Sequence, residues 1–281
     1  MNNSVGFVDL HLHTTASDGA FSPKRIVQMA LDAGLRAVAI TDHDSTDGVE
    51  EAIAAAAGTG LAVIPGVEIS SDLPQGEAHI LGYFLDSHNP ELVELLATLR
   101  KARWERAQRM VEKLGALGMP VSWDRVAAIA NGGAVGRPHV ARALMEAGHV
   151  SSVQDAFALY IGREGPAYVD RYKLTPVEVT QAVVRWGGLP VLAHPSFVMD
   201  LTGLLSHLVP AGLVGLEVYY TGYPPEVTAN LLRLARSNGL VGTGGSDFHG
   251  RSVVAGAVLG SVGVPYSVVE ELLAWRAPSV A

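Results

Sequence analysis

The sequence sets nitrogen and oxygen ligands in short pairs: His11 and His13, Asp42 and His43, Asp247 and His249. Asp18, Glu68, His79 and His194 stand singly. Two imidazoles two residues apart leave one face of a strand, and their neutral ring nitrogens can grip one metal ion. The Ser17-Asp18-Gly19 turn folds the chain back, so the Asp18 carboxylate can face the same cavity. Six of the ten histidines belong to this set. There is no cysteine, which excludes disulfides and thiolate zinc sites and leaves His, Asp and Glu as the donors. Imidazole and carboxylate without sulfur suit Mn²⁺, Zn²⁺ or Fe²⁺, and a glutamate can bridge two ions. Such a pair lowers the pKa of a shared water, and the resulting hydroxide attacks phosphorus in line. No Gly-x-Ser-x-Gly elbow offers a competing nucleophile.

These residues need elements that bring them to one place. The apolar run from Val5 to Leu10 reads as a strand ending at His11. Ser22-Pro23 caps and opens a helix that Gly34 closes. Ala37 to Ile40 is a short strand delivering Thr41-Asp42-His43-Asp44, and an Ala-rich helix follows Asp47-Gly48. Leu61 to Ile64 leads to Glu68, and His79 to Phe84 is a further strand. Later, Leu189 to Ala193 ends in His194-Pro195, and Gly215 to Tyr220 is followed by a helix from Pro224 to Ser237. Val241 to Gly245 then carries Ser246-Asp247-Phe248-His249. This alternation predicts an α/β fold with a parallel sheet, whose strand ends converge on one mouth.

Between about Pro90 and Ala167 the rhythm turns helical, with a long amphipathic pattern over Glu91–Leu117 and shorter ones near 122–130, 137–148 and 152–160. Residues 100–165 read as an all-helical insertion, a lid or specificity wall, between barrel parts 1–99 and 166–281. Arg103, Arg106 and Arg109 are expected on the solvated face of the long helix, and Trp104, Trp123 and Trp186 in core packing. His88, His149 and His207 fall outside the ligand pattern.

Of the 281 residues, 48% are hydrophobic and 17% charged, so a substantial core is expected. The net charge of −8 argues against a duplex nucleic-acid partner but not against a small phosphorylated ligand held by a few focused cations. The N-terminal residues lack a secretory pattern and no apolar run reaches membrane-spanning length, so a cytoplasmic protein without a membrane partner is expected.

His11-x-His13, Thr41-Asp42-His43, Glu68, His194-Pro195 and Ser246-Asp247-x-His249 together resemble the ordered motifs of the polymerase and histidinol phosphatase (PHP) family, over nearly the whole chain. The resemblance implies a distorted (β/α)₇ barrel with two or three divalent metal ions, Mn²⁺ first, with Zn²⁺ or Fe²⁺ as alternatives. It implies one ion held by His11, His13, Glu68 and Asp247, and a second by Glu68, His79 and His194. Asp18, His43 and His249 fit a third site or a grip on phosphate. Asp247, His194 and His249 are the catalytic candidates, and Asp42 is expected to orient His43 or neighbouring backbone.

Gly136-Arg137-Pro138-His139-Val140-Ala141-Arg142 and Tyr168-Val169-Asp170-Arg171-Tyr172-Lys173 resemble the branch containing 3′,5′-nucleoside bisphosphate phosphatases and short-oligoribonucleotide 5′-exonucleases. As residues, Arg137 and His139 at a helix start can face a phosphate, and Arg171 and Lys173 can add charge. A surface ion pair is the alternative role for Arg137. The substrate class implied is a nucleoside bisphosphate or short oligonucleotide. Histidinol phosphate is the enzymatic alternative, against which Arg137 and Arg171 argue, because that substrate carries an ammonium group. A non-catalytic metal-binding interaction module is the alternative of another class, against which the intact ligand set argues.

Overall fold

The computed structural model describes residues 7–74, 76–250 and 256–276; Val5 and Gly6, at the start of the expected first strand, lie outside them. The sheet has strands β1 (Phe7–Leu12), β2 (Ala37–Ile40), β3 (Ala62–Leu73), β4 (Gly76–Tyr83), β5 (Leu189–Leu192), β6 (Gly215–Tyr220), β7 (Val241–Gly245) and β8 (Val264–Pro265). Their order is β7-β6-β5-β4-β3-β2-β1-β8. The sheet curls into a nearly closed barrel: Leu12 bridges Phe248 in parallel, just past β7, and His13 N–H donates to Phe248 O at 3.1 Å. Gly245 makes that seam possible, because a Cβ there would collide with the His11 backbone. The two-residue β8 pairs antiparallel with the start of β1.

Helices α1 (Pro23–Asp32) and α2 (Val49–Ala56) follow β1 and β2, and α7 (Pro176–Arg185), α8 (Leu201–Leu208), α9 (Pro225–Ser237) and α10 (Ser267–Arg276) belong to the second half. Ser22 caps α1, its side chain accepting from Arg25 N–H, with Pro23 in the first turn as the sequence predicts. Alternate residues of β2 separate two cores. Ala37 and Ala39 join Val8, Leu10, Tyr83 and Val191, while Val38 and Ile40 pack on the inner faces of α1 and α2.

Besides the short β8, β4 departs from the parallel pattern. β4 runs antiparallel to both β3 and β5. Only residues 74–75 separate β3 from β4, and a parallel return needs a crossover of about a dozen residues or more. The strand through Glu68 also does not stop there. It continues to Leu73, so β3 and β4 form a long hairpin beyond the barrel mouth. His79 therefore lies near the start of its strand, opposite Ser70, rather than at a strand's C-terminal end.

From Pro90 to Ile161 the chain is helical: α3 (Pro90–Ala116), α4 (Trp123–Ala130), α5 (Arg137–Glu146), α6 (Val153–Ala156) and a π-helical turn, Phe157–Ile161. The second half of α3 and the helices after it share their own core, from Ala107, Met110 and Leu114 to Val140, Leu144 and Ile161. Two expectations for α3 are corrected. Arg103 and Arg106 are buried, not solvated; their positions continue the stripe of Leu92, Leu96 and Leu99 that leads on to Met110 and Leu114. Trp104 is not in the core. It is 45% exposed and meets Trp123 edge-on at the surface, whereas Trp186 is buried. Among the described residues no helix is long and apolar enough to cross a membrane.

Candidate metal centre and anion pocket

Glu68 is the hub of the mouth. Its Oε1 faces His79 Nδ1 at 2.7 Å and His194 Nε2 at 3.1 Å. Its Oε2 faces His43 Nδ1 at 2.9 Å, His13 Nε2 at 3.2 Å and His11 Nε2 at 3.3 Å. Asp247 Oδ1 lies 3.1 Å from His13 Nε2 and 3.3 Å from His11 Nε2. His249 Nε2 lies 3.3 Å from Asp18 Oδ1. The atoms group into three overlapping sets able to hold a metal ion: His11, His13, Glu68 and Asp247; His43, Glu68 and His79; and His13, Asp18, His43 and His249. His194 approaches the second set through Glu68.

A test of fit lies in the unpaired atoms. His11 Nε2, His13 Nε2, Asp18 Oδ1, His43 Nδ1, Glu68 Oε2 and Asp247 Oδ1 are all buried without a hydrogen-bond partner. Buried polar atoms are rarely left so, and here they converge on one another. Divalent cations satisfy such a donor set, which contains only imidazole and carboxylate.

The electrostatics agree. Burial alone would raise the carboxyl groups of Asp18, Glu68 and Asp247, but the imidazoles around them hold all three well below the usual range. Burial would likewise lower His13 and His79, yet Asp247 and Glu68 hold His13 up to about 10, and Glu68 with Glu77 holds His79 up to about 9. Burial prevails at His43, which falls to about 4.

The candidate ligands are fixed from behind. Glu217 accepts from His11 Nδ1 at 2.9 Å, turning Nε2 towards Glu68, and its other oxygen accepts from His194 N–H at 2.6 Å. His249 Nδ1 donates to Asp247 O at 2.9 Å, and Tyr220 O–H donates to Asp247 Oδ2 at 2.8 Å. Asp42 orients neighbouring backbone. Its carboxylate accepts from Thr14 N–H at 2.7 Å and from Ser17 O–H at 2.6 Å, holding the loop that carries His13 and Asp18. Asp9 does the same for the last motif, accepting from Ser246 N–H at 2.8 Å and Ser246 O–H at 2.6 Å. His194 (φ 29°) and Asp247 (φ 52°) both sit in the left-handed region, a strain their neighbours must hold.

Residues 9–121 match the PHP domain family. The 5′-3′ exoribonuclease Rnm of Escherichia coli is 37% identical over 253 residues, covering 88% of this chain and 86% of that protein. The chain belongs to the PHP family. It is also 33% identical over 248 residues to a 3′,5′-nucleoside bisphosphate phosphatase of Chromobacterium violaceum, covering 86% of this chain and 87% of that one. A solved protein of Bifidobacterium adolescentis, assigned as a metal-dependent phosphoesterase, superposes with a TM-score of 0.87 at 34% identity, covering 100% of this chain and 99% of that one. The protein is therefore a PHP phosphoesterase with a centre able to bind metal.

Beside the PHP ligands the same cavity is lined by Arg103, Arg106, Arg137 and Arg171, with Ser70, Glu77, Pro138 and Phe157. Asp44, fully buried, is the carboxylate that Arg103 and Arg171 share. Its Oδ2 lies 2.5 Å from Arg103 Nε and 3.4 Å from Arg171 Nη2. Arg106 Nε and Arg171 Nε are buried and unpaired. Burial, then the other arginines, pushes the Arg106 guanidinium well below its ordinary value, and burial with Arg103 lowers Arg171 to about 10. Arg137 pairs with Glu77 at 3.1 Å. His139 and Lys173 are not in the cavity lining. His139 Nδ1 accepts from Gly136 N–H at 2.8 Å at the start of α5, and Lys173 is buried between Asp72 and Glu77, at 2.9 and 2.8 Å.

Sequence reading missed Arg103, Arg106, Asp44, Asp9 and Glu217. The signal for the last two was a lone carboxylate among the apolar residues of a buried strand, and for the arginines it was their register on α3.

Proposed function

We propose that the protein hydrolyses the 3′-phosphate of nucleoside 3′,5′-bisphosphates, for example adenosine 3′,5′-bisphosphate to AMP and phosphate. By the same chemistry it acts as a 5′-to-3′ exonuclease on short 5′-phosphorylated oligonucleotides. One observation carries this reading: a wall of arginines, two of them with buried unpaired Nε atoms, shares a cavity with the metal-ligating cluster. Such a cavity suits a ligand with two phosphates, one at each wall.

In this reading His11, His13, Glu68 and Asp247 hold one divalent ion. Glu68 would also serve a second with His43, His79 and His194, and Asp18, His43 and His249 would serve a third. When bound, Mn²⁺, Zn²⁺ or Fe²⁺ supplies the positive charge that acidifies an attacking water and neutralises the phosphoryl oxygens. Arg106, Arg137 and Arg171 hold the 5′-phosphate and fix the ribose so that the P–O3′ bond lies at the ligand cluster. Asp44, itself gripped by Arg103, holds Arg171 in place. His139 fixes the helix start that presents Arg137, and Lys173 balances Glu77. Bisphosphate and oligonucleotide lose the same P–O3′ bond and release the same 5′-nucleotide. Histidinol phosphate fits poorly, since its ammonium group would meet guanidinium.

The test is turnover by Mn²⁺-loaded protein, read as phosphate released from adenosine 3′,5′-bisphosphate, 3′-AMP, 5′-AMP and histidinol phosphate and as 5′-nucleotide released from a 5′-phosphorylated dinucleotide. Preference for the bisphosphate, with 5′-AMP as product, is expected. Preference for histidinol phosphate or for 3′-AMP would overturn the two-phosphate reading.

A further inference from the structure

We propose that Phe197 is a stacking platform for the base of the second nucleotide of an oligonucleotide substrate. The inference rests on the substrate reading above and divides its two substrate types. Phe197 closes a short 3₁₀ turn, Pro195–Phe197, immediately after His194, and is 66% exposed. Its ring centroid lies 5.7 Å from that of His194, whose Nε2 faces Glu68.

The ring is propped from the protein side. Tyr220 meets it edge-on at 6.0 Å and Tyr223 at 6.5 Å. Both tyrosines are anchored, Tyr220 O–H donating to Asp247 and the Tyr223 oxygen accepting from Ser196 N–H at 3.2 Å. A large apolar ring held by fixed neighbours with its remaining surface in water is poised to stack on a ligand.

Position chooses the ligand. The contacts from the arginine wall run from Arg137 to Glu77, then His79, then His194, and Phe197 lies one step further. The arginine cavity is lined as far as His194 but not by Phe197. With a 5′-phosphate on the arginines and the scissile phosphate at the ligand cluster, the chain beyond that phosphate leaves past His194. Residues 195–204 contain no Lys or Arg, so this segment offers a ring for a base and no cationic side chain for a phosphate. A bisphosphate ends at the scissile phosphate and has nothing to lay on Phe197.

The experiment compares Mn²⁺-loaded unmodified enzyme, Phe197→Ala and Phe197→Trp. The substrates are adenosine 3′,5′-bisphosphate, a 5′-phosphorylated diadenosine and the same dinucleotide lacking its second base. Phe197→Ala is expected to lose on the order of tenfold in kcat/KM on the intact dinucleotide only, and Phe197→Trp to restore it. Equal losses on all three substrates, or none on the intact dinucleotide, would overturn the platform. Failure of the unmodified enzyme to turn over the bisphosphate would instead remove the substrate reading, and the platform with it.

Discussion

Glu217 Oε1 lies 2.9 Å from His11 Nδ1, and neither side chain reaches solvent. The second oxygen of the same carboxylate takes the His194 backbone N–H. A residue that faces no substrate thus sets the tautomer of one ligand and the strained backbone of another. Replacing Glu217 by Gln is expected to weaken Mn²⁺ binding by about 10–100-fold while leaving the far-UV circular dichroism unchanged. Titration of chelator-treated protein by calorimetry measures it. Unaltered affinity would reduce Glu217 to a packing role.

Arg106 sets function against stability. It is buried, its Nε has no partner, and three other guanidinium groups line the same cavity. Arg106→Met removes an uncompensated buried cation and is expected to raise the Tm of the ligand-free protein. The same change is expected to lower kcat/KM for a bisphosphate by 10-fold or more (on the order of one charge-assisted contact), and much less for an aryl phosphate. A lower Tm, or equal losses on both substrates, would contradict this account of Arg106.

The metal-free centre carries its own pH signature. His13 at about 10 and His79 at about 9 are raised above the unfolded value near 6.5. Their contribution to stability is complete below pH 6.5 and is lost as pH rises through 9 to 10. His43, held down at about 4, contributes fully above 6.5 and so does not alter that slope. Chelated protein should therefore lose Tm between pH 7 and 10. Mn²⁺ should widen the gap between loaded and chelated protein over the same range, because ligation and protonation compete for the same nitrogens. A pH-independent gap in scanning calorimetry would speak against the histidine cluster as the binding site.

Much of the centre was legible because its ligands are rare residue types placed after apolar runs. His11-x-His13 and Asp247-x-His249 needed only a strand to aim them. What escaped was of another kind. Arg103 and Arg106 look solvated by residue type, and only their register with Leu99 and Met110 puts them inside. Glu217 and Asp9 were hidden in the opposite way, as single carboxylates within strands that read as core. The reversal of β4 followed from the shortness of the connection at 74–75, a geometric limit that residue types do not express.

The hairpin of β3 and β4 ties the two walls of the cavity together as one ruler. Glu68 and His79 stand on its inner part, and Asp72 and Glu77 stand opposite each other nearer its tip. Asp72 and Glu77 grip Lys173, Glu77 also grips Arg137, and Asp72 N–H donates to Leu174 O at 2.9 Å. The spacing between metal ligands and arginines is thus counted in residues along two paired strands rather than left to loop motion. A relative that lengthened this ladder by two residue pairs, which keeps every side chain on its face, would move the walls apart by about 7 Å, and with them the separation of phosphates that the proposed site would measure.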